Sequence, residues 1–127
     1  MPLIIGMTHF FLVFLGGGLG SLCRFSIGLL LNRYDLNFPL GTLIANAISC
    51  FLLGMLLSWS LKGELATPYR LMWATGFCGG FSTFSTFSAE SLQLFQQGNA
   101  ALALLNIAGS LLIGLFFVFL GMRVIGI

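Results

Sequence analysis

Five hydroxyl side chains crowd between Ser82 and Ser88, directly after a pair of glycines. The run reads Gly76-Phe77-Cys78-Gly79-Gly80-Phe81-Ser82-Thr83-Phe84-Ser85-Thr86-Phe87-Ser88. Such a sequence makes a poor helix interior. A break at Gly79-Gly80 would free backbone carbonyls and N–H groups from their helical partners. In hydrocarbon each unsatisfied group costs several kcal/mol, so irregular backbone survives there only inside protein or beside water. Freed carbonyls suit a hard cation such as Na⁺, and half-helix N-termini favour anions. The bland alternative is a kink relieved by Ser and Thr side chains. The residues alone leave both readings open.

Other polar residues are few. Thr42 and Asn46 stand one helical turn apart, and Asn106 and Ser110 repeat that spacing. Each pair is a polar stripe, read either as glue between helices or as donors lining a pore. Arg24 sits in an apolar run. It either snorkels to the interface or holds a positive potential at the mouth of an anion path. Phe84 and Phe87 are three apart and share a face. Ring edges aimed into a pore favour an anion, ring faces a cation, and simple packing is the third option. Glu90 is a lone carboxylate and His9 reads as interfacial. No nucleophile–base pair, metal-ligand cluster or phosphate loop is present. Gly16 to Gly20 is not a dinucleotide fingerprint, because no βαβ unit can form around it. Cys23, Cys50 and Cys78 lack metal-ligand spacing and read as apolar packing.

The elements that must position these groups follow from charge. The chain has 127 residues, 58% hydrophobic and only 6% charged. Soluble domains carry roughly 25% charged residues. A soluble globule, a secreted disulfide scaffold, a disordered tail and a nucleic-acid-binding surface are all excluded. No charged side chain precedes Arg24, and none lies between Asp35 and Lys62, Arg70 and Glu90, or Glu90 and Arg123. A span needs about 20 apolar residues. The pattern predicts an all-α membrane protein, one transmembrane domain over residues 1–127. Its four helices fall at about 4–31, 40–61, 69–97 and 100–122, with the third broken near Gly79-Gly80. The first run lacks a basic n-region and a cleavage site, so it reads as a span rather than a signal peptide. The connection from Asn32 to Pro39 holds Arg33, Asp35 and Asn37. Thr67 and Pro68 predict a helix start, with Thr67 as N-cap.

Orientation is weakly specified. Lys62, Arg70 and Arg123 fall on one side. The other side has Arg33, plus Arg24 if it counts as flanking. The positive-inside rule needs a clearer excess. Either both termini prefer the cytoplasm, or both orientations insert and permit an antiparallel homodimer.

The stretch from Gly76 through Glu90 closely resembles the signature of the bacterial Fluc/CrcB fluoride channels. The resemblance extends to Gly17–Arg24, Gly41-Thr42, Asn46 and Gly109-Ser110, and covers the chain in order and length. It implies an antiparallel, dual-topology homodimer in the bacterial inner membrane, with two fluoride pores and passive fluoride export. It implies a structural Na⁺ at the dimer centre, held by backbone carbonyls that match Gly79 and Ser82. Asn46, Phe84 and Phe87 match pore residues. Thr42, Thr83 and Ser110 fall on the polar track, and Arg24 matches the helix 1 arginine of the vestibule. Two departures stand out: Gly114 replaces a hydroxyl one turn after Ser110, and Asn106 occupies a variable position. An alternative from another class is a small four-helix proton-coupled multidrug antiporter. That would want a carboxylate within an early helix, which helix 1 lacks. A non-transporting assembly subunit would not need the hydroxyl-rich segment.

Overall fold

The computed structural model describes residues 2–34 and 37–126. Asp35 of the first connection lies outside the described residues, as do the side chains of residues 2–5 and 32. All described regular structure is helical. Helix α1 is Pro2–Leu31, followed by a 3₁₀ turn at Asn32–Tyr34. Helix α2 is Leu40–Leu61, the expected bounds. Pro39 precedes it, and Gly63 ends the turn after it at a φ of 71°.

The third stretch is in pieces. Helix α3 is Thr67–Arg70, then Leu71–Cys78 winds wider as a π-helix. Helix α4 is Gly79–Phe81, and α5 resumes at Phe84–Gln96. Pro68 sits in the first turn as expected, but the N-cap is Ala66 rather than Thr67. Gly98, at a φ of 80°, turns the chain into α6, Ala100–Ile125. The last helix thus runs three residues past the expected Met122. Lys62 Nζ donates to the Ile125 carbonyl at 2.6 Å, satisfying one of its orphan end groups.

Among the described residues, three helices are long and apolar enough to cross a membrane: Gly6–Leu31 of α1, α2 and α6. The pieces between residues 67 and 96 are too short to qualify singly.

The break is not at Gly79-Gly80. Helical winding continues to Phe81, and the backbone turns extended at Ser82 (ψ 156°) and Thr83 (φ −149°). The physical reason is that the glycine at 80 serves packing. A Cβ on Gly80 would overlap the Gly17 carbonyl, and one on Gly76 would press on the Val13 carbonyl oxygen. From the other side, Gly16 meets Met72 and Gly20 meets Phe77 in the same way. Small residues let backbones approach in lipid, where helix association rests on van der Waals contact. Helix α1 is thereby seated on the π segment and α4. A second seam joins α2 to α6, with Gly54 against Val118 and Gly121 against Phe51.

Candidate functional site

The break at Ser82–Thr83 is held open by side chains from other elements. The Thr83 N–H, which an unbroken helix would direct to the Gly79 carbonyl, donates instead to Asn46 Oδ1 at 2.9 Å. Asn46 Nδ2 approaches the Thr83 carbonyl at a long 3.5 Å. The end of the π segment is closed differently. The Cys78 carbonyl accepts from Ser82 N at 3.0 Å, Ser82 Oγ at 2.8 Å and Ser49 Oγ at 3.0 Å. Thr83 Oγ1 then accepts from Thr86 N at 3.2 Å and caps α5. Thr83 Oγ1 also meets the hydroxyls of Ser85 and Thr86, each at 3.2 Å.

Two cavities flank this break. The first, about 450 Å³, is lined by Asn46, Cys50, Ser82, Thr83, Phe84, Phe87, Ser110 and Gly114 among others. Phe84 is 80% exposed in the single chain, although it sits at the lip of this cleft. Its ring centroid lies 5.9 Å from that of Phe87. The second cavity, about 340 Å³, is lined by Arg24, Thr42, Thr83, Thr86 and Glu90. Thr83 alone among the predicted site residues lines both.

The structure therefore brings Asn46, Ser82, Thr83, Phe84, Phe87 and Ser110 to one cleft, and Thr42 and Arg24 to the next. Gly79 lines neither and is exposed. Arg24 Nε donates to the Gly80 carbonyl at 3.2 Å.

Ser49 and Ser91 escaped the sequence reading, as did the pairings that tie Thr42, Glu90, Asn106 and Ser110 into the site. Thr42 Oγ1 donates to Glu90 Oε1 at 2.8 Å, joining α2 to α5. Glu90 Oε2 is buried with no hydrogen-bond partner among the described residues. Ser110 Oγ donates to Asn106 Oδ1 at 3.3 Å, and Asn106 Nδ2 donates to Ser91 Oγ at 2.9 Å. Ser91 Oγ in turn donates to the Phe87 carbonyl at 2.8 Å. Asn106 is 2% exposed, so it ties α6 to the backbone behind Phe87 rather than facing the cleft. Ser91 lies one turn after Phe87, and that spacing was the available signal. Ser49, 29 residues from Cys78, offered none.

Residues 11–122 match the family described as CrcB-like protein, Camphor Resistance (CrcB). The chain belongs to the CrcB family. It is 47% identical over 121 residues to a fluoride-specific ion channel FluC of Thermus thermophilus, covering 94% of this chain and 97% of that one. It is 45% identical over 111 residues to a protein of the same name from Pyrococcus abyssi, covering 87% and 89%. A FluC 1 of Yersinia pestis is 45% identical over 104 residues, covering 78% and 82%. These CrcB relatives are named as channels, not enzymes. With its three long apolar helices, this CrcB chain is a multi-pass membrane protein.

Proposed function

We propose that this chain is a fluoride-selective channel that lets fluoride leave the bacterial cytoplasm passively, without ATP and without chemistry. One observation carries the reading. The break at Ser82–Thr83 gathers Asn46, Phe84, Phe87 and Ser110 around one cleft, in a chain whose relatives are named fluoride-specific channels.

Moving a small anion into a low-dielectric medium costs on the order of 20 kcal/mol by the idealised Born estimate. A hydrogen bond to a charged group returns about 1.5–3 kcal/mol net. No single donor can carry the ion, so successive sites share the cost. Arg24, in the second cavity, raises the local anion concentration. Asn46 spends its oxygen on the Thr83 N–H, and its weakly engaged Nδ2 is left to donate to the ion. The rings of Phe84 and Phe87 present positive edges, and Ser110 follows when its hydroxyl turns from Asn106 Oδ1 to the ion. Fluoride depends on compact, strong donors more than the larger chloride does.

The full reading has the whole chain as one transmembrane domain with four spans, the third being the discontinuous run from α3 to α5. Two copies insert antiparallel in the inner membrane, each pore lined where the copies meet. The weak charge bias and the exposed Phe84 support this. A structural Na⁺ at the centre of the dimer belongs to the same reading. The residues fit it: Gly79 is exposed, and the partner its carbonyl would have in a helix, the Thr83 N–H, is spent on Asn46. The carbonyls of Gly79 and Ser82 would supply hard oxygen ligands and a second copy the rest, the ion neutralising the converging dipoles.

Fluoride efflux from liposomes holding the purified protein tests the function, with chloride as control. Fluoride release without chloride release is expected. Equal release of both ions, or release of neither from a folded dimer, sinks it. Reconstitution without sodium should lower dimer content; an unchanged dimer would remove the cation from the reading.

A further inference from the structure

The chain has two tryptophans, and both line one groove. Leu52, Met55, Leu56 and Trp59 come from α2, and Trp73 and Phe77 from the π segment. The groove has a volume of about 270 Å³. Met55 stands about half a turn round α2 from Asn46, which lines the first cavity. The groove therefore opens on the face of α2 turned away from that cavity. From Leu52 to Trp59 it runs about 10 Å along the helix, within one half of a hydrocarbon core about 30 Å thick.

Both tryptophans stand at the end that leads into the connection between α2 and α3. Lys62 lies one turn after Trp59, and Arg70 one turn before Trp73, so each cation is nearer the aqueous side than its tryptophan. Arg123 is a third cation at this end, and Glu64 a carboxylate in the same connection. Lys62 gives one donor to the Ile125 carbonyl and has two left. Arg123 lies over the Phe119 ring. Arg70 is exposed. Among the described residues, neither its guanidinium nor either indole N–H has a hydrogen-bond or ionic partner.

We propose that this groove binds one anionic phospholipid. An acyl chain lies between α2 and the π segment, and the phosphate meets Arg70, with Lys62 and the indole N–H groups beside it. Charge complementarity selects this occupant. An uncommitted guanidinium and free donors at the mouth of an apolar slot match an anionic head on a hydrocarbon tail. Tryptophan rings suit that level of the bilayer. A helix from a second copy does not fit, since one turn about 10 Å across displaces roughly 420 Å³. The proposal goes beyond the channel reading and does not depend on which ion passes.

Intrinsic fluorescence reports on this groove alone, because the chain has no third tryptophan. The protein is reconstituted in vesicles in which a minority of lipids carry brominated acyl chains, which quench indole on contact. One set holds brominated phosphatidylglycerol in plain phosphatidylcholine, and the other brominated phosphatidylcholine in plain phosphatidylglycerol. The first set should quench more strongly, with phosphatidylglycerol enriched about fivefold at the groove, the worth of one arginine beside an anionic head. Arg70→Gln should bring the two sets close to level, while fully brominated vesicles still quench the variant. Equal quenching of the parent in both sets overturns the proposal, because the groove would then hold lipid without regard to its head. A preference unchanged by Arg70→Gln overturns it too. So does a parent that fully brominated vesicles leave unquenched, since a second copy would then cover the groove.

Discussion

The two cavities that meet at Thr83 are built on opposite plans. The first is walled by aromatic and aliphatic side chains, with Asn46, Thr83 and Ser110 as isolated polar points. The second brings Arg24 and Glu90 together with the four hydroxyls of Ser21, Thr42, Thr83 and Thr86 in a smaller volume. A cavity lined by charged and hydroxyl groups draws ions and water alike, and water then answers for whatever the protein does not offer. An apolar cavity with sparse donors removes that water and makes each donor decide. On the proposed fluoride reading, attraction and selection are separated between the two cavities, with Thr83 lining both.

Substitutions on either side of that seam should have different signatures. Phe84→Ile should abolish fluoride efflux while leaving the dimer intact on a sizing column. The ring is largely exposed in the single chain, so little packing within the chain is lost. A variant that still conducts would remove Phe84 from the selecting cavity. Asn46→Ala strips the Thr83 N–H of its partner at the junction. About 2 kcal/mol of lost stabilisation, or roughly thirtyfold in efflux, is expected. Arg24→Gln acts only on attraction. Efflux should fall about tenfold in low salt and much less in high salt, where the charge is screened. A loss independent of salt would assign Arg24 to structure through its bond to Gly80. Thr42→Val removes one hydrogen bond to Glu90. It should slow efflux about threefold with selectivity unchanged. Lys62→Met touches neither cavity and should leave both rate and selectivity as they are.

How much of this was legible beforehand depended on what kind of signal each feature leaves. Helix α2 could be read to the residue, because Pro39 and the Lys62-Gly63 pair punctuate a clean apolar run. The existence of a break was legible from Gly79 to Ser88, but its place was not. Glycine serves either flexibility or close approach, and propensity does not distinguish them. Only the face of α1 carrying Gly16, Gly17 and Gly20 shows that the glycines at 76 and 80 are packing surfaces. The extended residues are instead Ser82 and Thr83, where Asn46 supplies a competing acceptor 37 residues away in sequence. Long-range partners of this sort leave no periodicity. Glu90 looked solitary for the same reason, since its partner Thr42 is 48 residues distant. The spacing of Asn106 from Ser110 left helix glue and pore lining equally open. Its burial and its bond to Ser91 make it a tie between α5 and α6.

The glycine seams have a consequence for time as well as space. Helices that touch backbone to backbone have no side chains between them to yield, so the seams of α1 with the π segment and of α2 with α6 resist sliding. What remains free near the break are ring flips and hydroxyl rotations, which take picoseconds to nanoseconds. On the proposed channel reading, fixed walls with a fluctuating lining would leave the passage waiting on the arrival of an ion rather than on a slow rearrangement of the protein.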